Sequence, residues 1–393
     1  MTSDTITVPS AGVGTRIQSL DILRGFALLG MFVVHFHTHS TEPGGFDDVL
    51  RTLIWRLVET KSHGTFALLF GAGFAIQLRR ADARNLPFAT IYLRRLAGLL
   101  LFGIAAHALF GFNVLVSYAI WGLPLLLIRK WSTRALLVTA VVSAMSVGLY
   151  HLAFQQYLSL HGGPAAIEAA YEARRVTATS VNAARQAAEA QESYRVLLGA
   201  RLAHMSWFYR QPFSFMPGAT LALFISGLLL VRHRLFEEPR AHVRLLGMLT
   251  VFGIASWLAA NWLLEGWNVD LLFLVLHDQW LTFSYVGLAL LLLGHWPLLA
   301  TRLTWVANAG RMALTNYLLQ IATLDLLFSG YALGLGQIRP VTGFALALAC
   351  FGAEVLISTQ WLARFQFGPA EWLWRSMTYG RRAPLRRAVQ VSG

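Results

Sequence analysis

Ten apolar runs, each long enough to cross a lipid bilayer as a helix, constrain this chain more than any other feature. The runs cover residues 20–38, 64–79, 95–111, 114–129, 135–153, 213–232, 244–264, 279–295, 311–329 and 340–361. Backbone groups in lipid must be satisfied within the protein, which leaves helices or a closed barrel, and continuous rather than alternating runs favour helices. The composition agrees, with 56% hydrophobic and 13% charged residues. The sequence therefore predicts an all-α polytopic integral membrane protein with about ten transmembrane helices.

The distribution of basic residues predicts how these helices are oriented. If the amino terminus is cytoplasmic, 22 of the 32 Lys and Arg residues fall on the cytoplasmic side and the other 10 on the outer side, six of them in one long loop. This is the positive-inside pattern, which is weak in long loops. We therefore expect both termini in the cytoplasm. The expected divisions are a leader (1–19), a transmembrane domain (20–363) and an interfacial segment with a basic tail (364–393).

The net charge of +13 is explained by the many Lys and Arg residues on the cytoplasmic side of the membrane. A basic tail next to the last span attracts anionic lipid headgroups. We therefore expect membrane lipids as partners, and no nucleic acid.

Two segments on the outer side are predicted to be helical without spanning. Residues 46–60 place Phe46, Leu50 and Leu53 on one face, as an amphipathic interfacial helix does. Residues 155–212 are rich in alanine and charge, and Arg185 precedes Glu189 by one helical turn. The second segment either covers an opening on the outer face or is a solvated spacer.

The stretch 20–39 concentrates ionisable residues in the first span. Asp21 and Arg24 stand at its start, and His35, His37 and His39 at its end. Ionisable groups at membrane depth are costly and by default indicate function, although an interfacial ion pair and interfacial histidines are the plain alternative. A neutral imidazole is a suitable general base. Metal binding is disfavoured because helical positions two apart point about 200° from each other, so we expect no metal.

Further polar residues at span ends or within spans are candidates for a site. The candidates for substrate binding are His107, Asn113, Arg311 and Asn316. Asp325 and Glu354 are isolated acids in the last two spans. Each acid is a proton-relay group, a partner for Arg311 or Arg339, or a buried hydrogen-bonded carboxyl group. The polar residues of span nine are equally explained as contacts between helices.

Four segments carry a resemblance to a known family. They are LDILRGFALLG at 20–30, LFGAGFA at 69–75, NAGRMALTNYLLQ at 308–320 and GPAEWLWR at 368–375. In this order they resemble the YeiB-like family of bacterial inner-membrane proteins, a domain of unknown function, across nearly the whole chain. That family is placed in a wider transmembrane acyltransferase group, which includes membrane O-acyltransferases and the lysosomal heparan-alpha-glucosaminide N-acetyltransferase.

The resemblance implies a fold like that of the transmembrane acyltransferases and a division of roles. In the O-acyltransferases an arginine precedes a histidine by eleven positions in the first helix, as Arg24 precedes His35 here. The implied donor is cytoplasmic acyl-CoA, with no covalently bound cofactor. The acceptor is a hydroxyl or amine of a glycan, lipid or small metabolite at the outer face. His35 would remove the acceptor proton, and Arg24 would assist donor phosphate binding or hold the helix. About 16 Å of helix separates the two, so they would act on opposite ends of a long donor.

Two other classes of function remain open from the sequence. A transporter or flippase would use Arg24, Asp325 and Glu354 along a path, although the halves of the chain lack the internal repeat that is common in transporters. A non-catalytic regulatory protein would use the long outer loop for docking. The sequence does not specify an oligomeric state.

Overall fold

The computed structural model describes residues 17–41, 44–111, 113–211, 218–262 and 274–386. Most of the predicted leader and Arg387 of the predicted basic tail lie outside these ranges.

The described residues form fifteen α-helices. In chain order they are α1 (Gln18–His37), α2 (Phe46–Ile54), α3 (Thr60–Asp82), α4 (Phe88–Phe110), α5 (Leu115–Ile128), α6 (Thr133–Glu189), α7 (Tyr194–Arg210), α8 (Gly218–Arg232), α9 (Val243–Trp262), α10 (Leu274–His295), α11 (Pro297–Arg302), α12 (Thr304–Arg311), α13 (Ala313–Phe328), α14 (Pro340–Arg364) and α15 (Pro369–Tyr379). A π-helical segment, Trp55–Glu59, joins α2 to α3.

Each of the ten predicted runs coincides with one of these helices. Among the described residues, five helical stretches are long and apolar enough to cross a membrane: Gln18–His37, Phe88–Phe110, Thr133–Glu189, Pro239–Ala259 and Pro340–Arg364. Shorter apolar helices accompany them, among them α5, α8 and α13. The protein is thus an all-helical, multi-pass membrane protein. That all ten runs cross the membrane stays a prediction.

At α2 and within α6, one helix continues directly into a further helix, where the sequence predicts a boundary. Residues 46–60 do not form a separate helix, because the π-helical segment carries the chain from α2 directly into α3. The stretch α6 covers 57 residues and consists of two helices that meet at a kink, so the fifth run is joined directly to much of the outer loop. The kink lies at Gly163, where φ is +67°, next to Pro164. A proline removes one helical hydrogen bond, and glycine adopts positive φ without a steric penalty, so this pair explains the bend.

Glycines allow the central helices to cross at close range. A Cβ atom added at Gly25 of α1 would collide with the backbone of Val306 in α12, and one at Gly310 with the backbone of Asp21. Helices α3 and α8 meet in the same way at Gly71, whose added Cβ would collide with Phe224. Small residues bring helix backbones together in this manner in membrane proteins. These crossings fix α1 against α12 and α3 against α8, and all of these helices except α8 line the site described below.

Candidate functional site

A cavity of about 380 Å³ lies among helices α1, α3, α4, α5, α12, α13 and α15. One end of it, here called the arginine end, is lined by six arginines: Arg24, Arg80, Arg84, Arg95, Arg311 and Arg375. The lining also includes Phe66, Phe70, Tyr118 and Tyr317, and Phe66 precedes Arg80 on α3 by about 21 Å of helix. We call this part, together with the histidines behind it, the histidine end. All four segments that carry the family resemblance contribute residues to this cavity.

The arginine end begins with the ion pair that the sequence suggests in the first span. Arg24 Nη1 donates to Asp21 Oδ1 over 3.2 Å, within one turn of α1. Gly73 of α3 faces this group, because a Cβ added there would lie 3.6 Å from Arg24 Nη2. Arg24 is therefore held beside the cavity by its own helix and accommodated by a glycine of the next.

Helix α15 completes the arginine end with aromatic and basic residues. The guanidinium carbon of Arg95 lies 3.8 Å from the ring centroid of Trp374, and Trp374 Nε1 donates to the carbonyl oxygen of Arg95 over 2.7 Å. Arg375 lies 4.4 Å from the ring centroid of Phe367. Stacking on aromatic faces orients a guanidinium and leaves its N–H groups directed outward.

Glu371 explains why α15 folds against the bundle. Its carboxylate accepts from the backbone N–H of Leu314 at 2.6 Å and of Thr315 at 3.1 Å, and from Thr315 Oγ1 at 2.5 Å. These donors belong to the first turn of α13, where a helix favours a negative charge. Burial raises the pKa of Glu371, and the hydrogen bonds from Thr315 and Leu314 oppose that shift. The contact holds Trp374 and Arg375 at the cavity.

The arginine end has a large excess of positive charge. Against six arginines, the lining residues that the structure describes include the acids Asp21 and Glu371. Asp21 is engaged with Arg24, and Glu371 with α13. Guanidinium groups bind phosphate through paired N–H donors, and clustered cations in a cleft raise the local concentration of anions. The arrangement suits a ligand that carries several phosphates.

The histidine end begins behind the two tyrosines. The ring centroids of His35 and Tyr317 are 6.4 Å apart, and those of His35 and His63 are 6.0 Å apart. Tyr118 donates from its hydroxyl to the carbonyl oxygen of His63 over 3.2 Å. His35 is not itself part of the cavity lining. It lies one aromatic ring beyond it.

His63 is the residue that the sequence analysis overlooked as a functional candidate. The run at 64–79 begins directly after it, and it lies on the same predicted side as His35. Its position at the end of a span was the sequence feature that could have identified His63 as a functional candidate. Its proximity to His35 depends on the packing of α1 against α3, which the sequence alone does not give.

Two of the predicted polar residues take part in contacts within the bundle. Asn113 uses both amide atoms on the backbone, donating to Gly103 O at 2.9 Å and accepting from Leu115 N at 3.1 Å. Asn316 donates to Ser358 Oγ of α14 at 2.9 Å. These contacts fix the start of α5 and the pairing of α13 with α14. A binding role for either asparagine stays a prediction.

Glu354 and His107 also lie away from the cavity. Glu354 accepts from Gln320 Nε2 at 3.0 Å, which joins α14 to α13. His107 is fully buried, with its ring centroid 5.9 Å from that of His204 in α7. A relay role for Glu354 and a binding role for His107 stay predictions.

Asp325 has a different partner from those the sequence suggested. It forms a buried ion pair with Arg201 of α7, while Arg339 binds Asp47 at 2.9 Å. Tyr331 donates to Asp325 Oδ2 at 2.7 Å. Asp325 is thus a buried, hydrogen-bonded carboxyl group, which is one of the alternatives that the sequence leaves open, and its basic partner comes from α7. The contact ties the second outer segment to the end of α13.

Comparison with known families divides the chain into two parts. Residues 230–381 match the family model described as a protein of unknown function, DUF418. Residues 16–163 match the model of the catalytic region of heparan-alpha-glucosaminide N-acetyltransferase. The second match includes α1, α3, α4 and α5, and the first includes α12, α13 and α15. The cavity is formed between the two matched parts.

Relatives of similar length extend over nearly the whole chain. The uncharacterized protein YxaH of Bacillus subtilis is 29% identical over 96% of this chain and 97% of its own length. The uncharacterized protein YeiB of Escherichia coli is 27% identical over 94% of this chain and 98% of its own. No solved structure gives a significant match.

Proposed function

Because this chain is a relative of the YeiB-like proteins and its first part matches an N-acetyltransferase catalytic region, we propose that it is a membrane-embedded acyltransferase. The donor is an acyl-CoA-type thioester bound at the arginine end. The acceptor is a hydroxyl or amine of a glycan, lipid or small metabolite, which reacts at the histidine end. One observation carries this proposal. A single cavity joins six arginines to a tyrosine wall that has His35 behind it.

Acyl-CoA matches both parts of the cavity. Its nucleotide carries several phosphates, which suit the guanidinium groups at the arginine end. Its flexible arm is long and weakly polar, which suits a passage lined by Phe66, Leu69, Phe70 and Leu99. Arg24 and His35 stand eleven positions apart on one helix, or about 16 Å. A donor whose phosphates lie by Arg24 therefore brings its thioester towards Tyr317 and His35.

The proposed reaction needs a proton acceptor and no further reagent. The acceptor's oxygen or nitrogen attacks the thioester carbonyl carbon, and its proton passes to an imidazole at the histidine end. The carbon–sulfur bond then breaks, and the thiolate takes up that proton to leave as free thiol. A general base of this kind contributes about 10²- to 10⁴-fold to the rate. The resemblance assigns the removal of this proton to His35, whose ring lies behind Tyr317 at the histidine end.

The proposed topology follows from the same assignment. The arginine end faces the cytoplasm, where acyl-CoA is made, and the histidine end faces the outer side. Both termini are then cytoplasmic and ten helices cross the bacterial inner membrane. The excess of Lys and Arg on one side supports this orientation. Arg311 would contact donor phosphates together with Arg24.

Binding and transfer of acetyl groups test the proposal directly. The purified protein in detergent is titrated with acetyl-CoA and with acetyl-pantetheine, which lacks the nucleotide phosphates. Release of free thiol is then followed with glucosamine as the probe acceptor, chosen because it offers an amine and hydroxyls. We expect acetyl-CoA to bind more tightly than acetyl-pantetheine, and the rate of thiol release to rise with glucosamine.

Two results would contradict the proposal. Equal affinity for both donors would show that the arginine end does not recognise the phosphates. Binding of acetyl-CoA without thiol release, together with its movement across the membrane of proteoliposomes, would favour a transporter instead.

A further inference from the structure

Close packing of two helices brings a second imidazole to the histidine end. A Cβ atom added at Gly30 of α1 would collide with the side chain of Ser62 in α3. His35 lies five residues after Gly30, and His63 directly follows Ser62. This crossing therefore sets His35 and His63 opposite each other, with ring centroids 6.0 Å apart and ring planes at 72°.

The hydrogen bond of His63 fixes which of its nitrogens carries the proton. Its Nδ1 lies 3.0 Å from the carbonyl oxygen of Glu59, one turn earlier. A carbonyl oxygen only accepts, so Nδ1 carries the hydrogen and Nε2 of the neutral ring keeps its lone pair. His63 is thus held in the tautomer that a base requires.

The same local bond occurs at exposed histidines, so it is the position of His63 that matters. His161 and His295 bond to carbonyl oxygens one turn earlier at 2.8 and 2.9 Å. Both side chains are exposed and lie outside the cavity. His63 instead contacts the cavity wall through its backbone, because its carbonyl oxygen accepts from Tyr118.

His35 lacks such a fixed tautomer. Its Nδ1 is buried and has no hydrogen-bond partner among the described residues. Its own carbonyl oxygen contacts Thr38 Oγ1 and His39 Nδ1, at 2.7 and 3.0 Å. Buried polar atoms are rarely left without a partner, so a ligand atom is the natural complement of this nitrogen.

Together these contacts assign separate roles to the two rings. Building on the acyltransferase function proposed above, we propose that His63 is a catalytic base of this protein, and that His35 holds the acceptor's reacting atom against it. An oxygen or nitrogen at about 2.8 Å from one nitrogen of each ring fits between centroids 6.0 Å apart. The acceptor's proton passes to His63 Nε2 as its oxygen or nitrogen bonds to the acyl carbon. The electron pair of the carbon–sulfur bond leaves with the sulfur, which regains the proton as a thiol.

The assignment is tested by replacing each histidine in the full-length protein. Acetyl-CoA affinity and thiol release to glucosamine are measured for His63→Ala, His35→Ala and His161→Ala. We expect His63→Ala to bind acetyl-CoA normally while thiol release falls by about 10²- to 10⁴-fold. Added imidazole then restores part of the rate, because it supplies the missing base. His35→Ala raises the KM for glucosamine, and imidazole does not correct this. His161→Ala, which removes a ring with the same backbone bond, behaves as wild type.

The outcomes separate this inference from the proposed function. Wild-type thiol release by His63→Ala would overturn the role of His63 and leave the acyltransferase proposal standing. The role of His63 as a base would also be overturned if His63→Ala bound acetyl-CoA but stayed inactive in the presence of imidazole. That result would indicate a structural role for His63. His63→Gln repeats the test if the alanine variant does not fold. If the wild-type protein neither binds acetyl-CoA nor releases thiol, both proposals fail together.

Discussion

The two ends of the cavity differ in the chemistry of their side chains. The arginine end takes its charges from five helices, α1, α3, α4, α12 and α15, or from residues that directly follow them. The histidine end consists of imidazole and phenol rings. The charged end is suited to select a ligand by its phosphates. The histidine end is suited to carry out proton transfer away from water.

This separation has a physical reason. Of the six arginines, Arg80 and Arg84 are exposed and the other four are half-buried, so they keep part of their hydration and cost less than fully buried charges. Proton transfer gains from the opposite environment, because electrostatic interactions strengthen where water is excluded. Helix α1 belongs to both ends, with Arg24 in one and His35 in the other. Substitutions at one end should therefore change donor binding or catalysis without changing the other.

The buried ion pair between α7 and α13 gives the largest predicted effect on stability. The side chains of Arg201 and Asp325 are 3% and 1% exposed, and the Asp325 carboxylate also accepts from Ser329 and Tyr331. Asp325→Ala leaves Arg201 buried without its charge partner. We expect a loss of about 3–5 kcal/mol in the free energy of unfolding. Thermal unfolding in detergent measures it.

The matched control for this prediction is an ion pair in solvent. The side chains of Arg175 and Glu172 on α6 are 74% and 50% exposed. Glu172→Ala should leave the unfolding temperature unchanged, because exposed ion pairs contribute little to stability. Equal effects of Asp325→Ala and Glu172→Ala would contradict the view that this ion pair holds α7 against α13.

Reversing one charge at the arginine end should weaken donor binding and leave the histidine end intact. Arg311→Glu replaces a lining cation by an anion. We expect the Kd for acetyl-CoA to rise by about 10- to 150-fold, which corresponds to a charged hydrogen bond of about 1.5–3 kcal/mol. The control is Arg302→Glu, an exposed residue of α11 that is outside the cavity lining. Equal weakening by both variants would mean that overall charge, rather than the cavity, attracts the donor.

Much of the fold could be predicted from the sequence, because lipid imposes long apolar helices. Every predicted run has a helix, and the short break between the third and fourth runs is real, since α4 ends at Phe110 and α5 begins at Leu115. The ends of α2 and α6 were mispredicted for a different reason. Polar helical segments that continue an apolar one leave no change in periodicity at the boundary.

The site was predictable where its residues share a helix and not where helices meet. Arg24 and His35 stand on α1, so their separation follows from helical rise. The sequence places Arg375 in an interfacial segment after the last span, because its position in the cavity depends on α15 folding onto α13. Arg201 and Asp325 are 124 residues apart. Such contacts exist only in the tertiary structure, and the same holds for His35 and His63.

The smallest predicted effect tests how the arginine end is assembled. Glu371→Ala removes the carboxylate that accepts from Leu314 and Thr315 at the start of α13. Loss of such a cap costs about 1–2 kcal/mol of stability. Acetyl-CoA affinity should fall as well, since α15 no longer holds Trp374 and Arg375 in place. Glu371→Gln keeps an accepting oxygen and should lose less of both. If Glu371→Ala lowered stability but left affinity unchanged, α15 would be a structural support alone, and the donor site would consist of arginines from the other four helices.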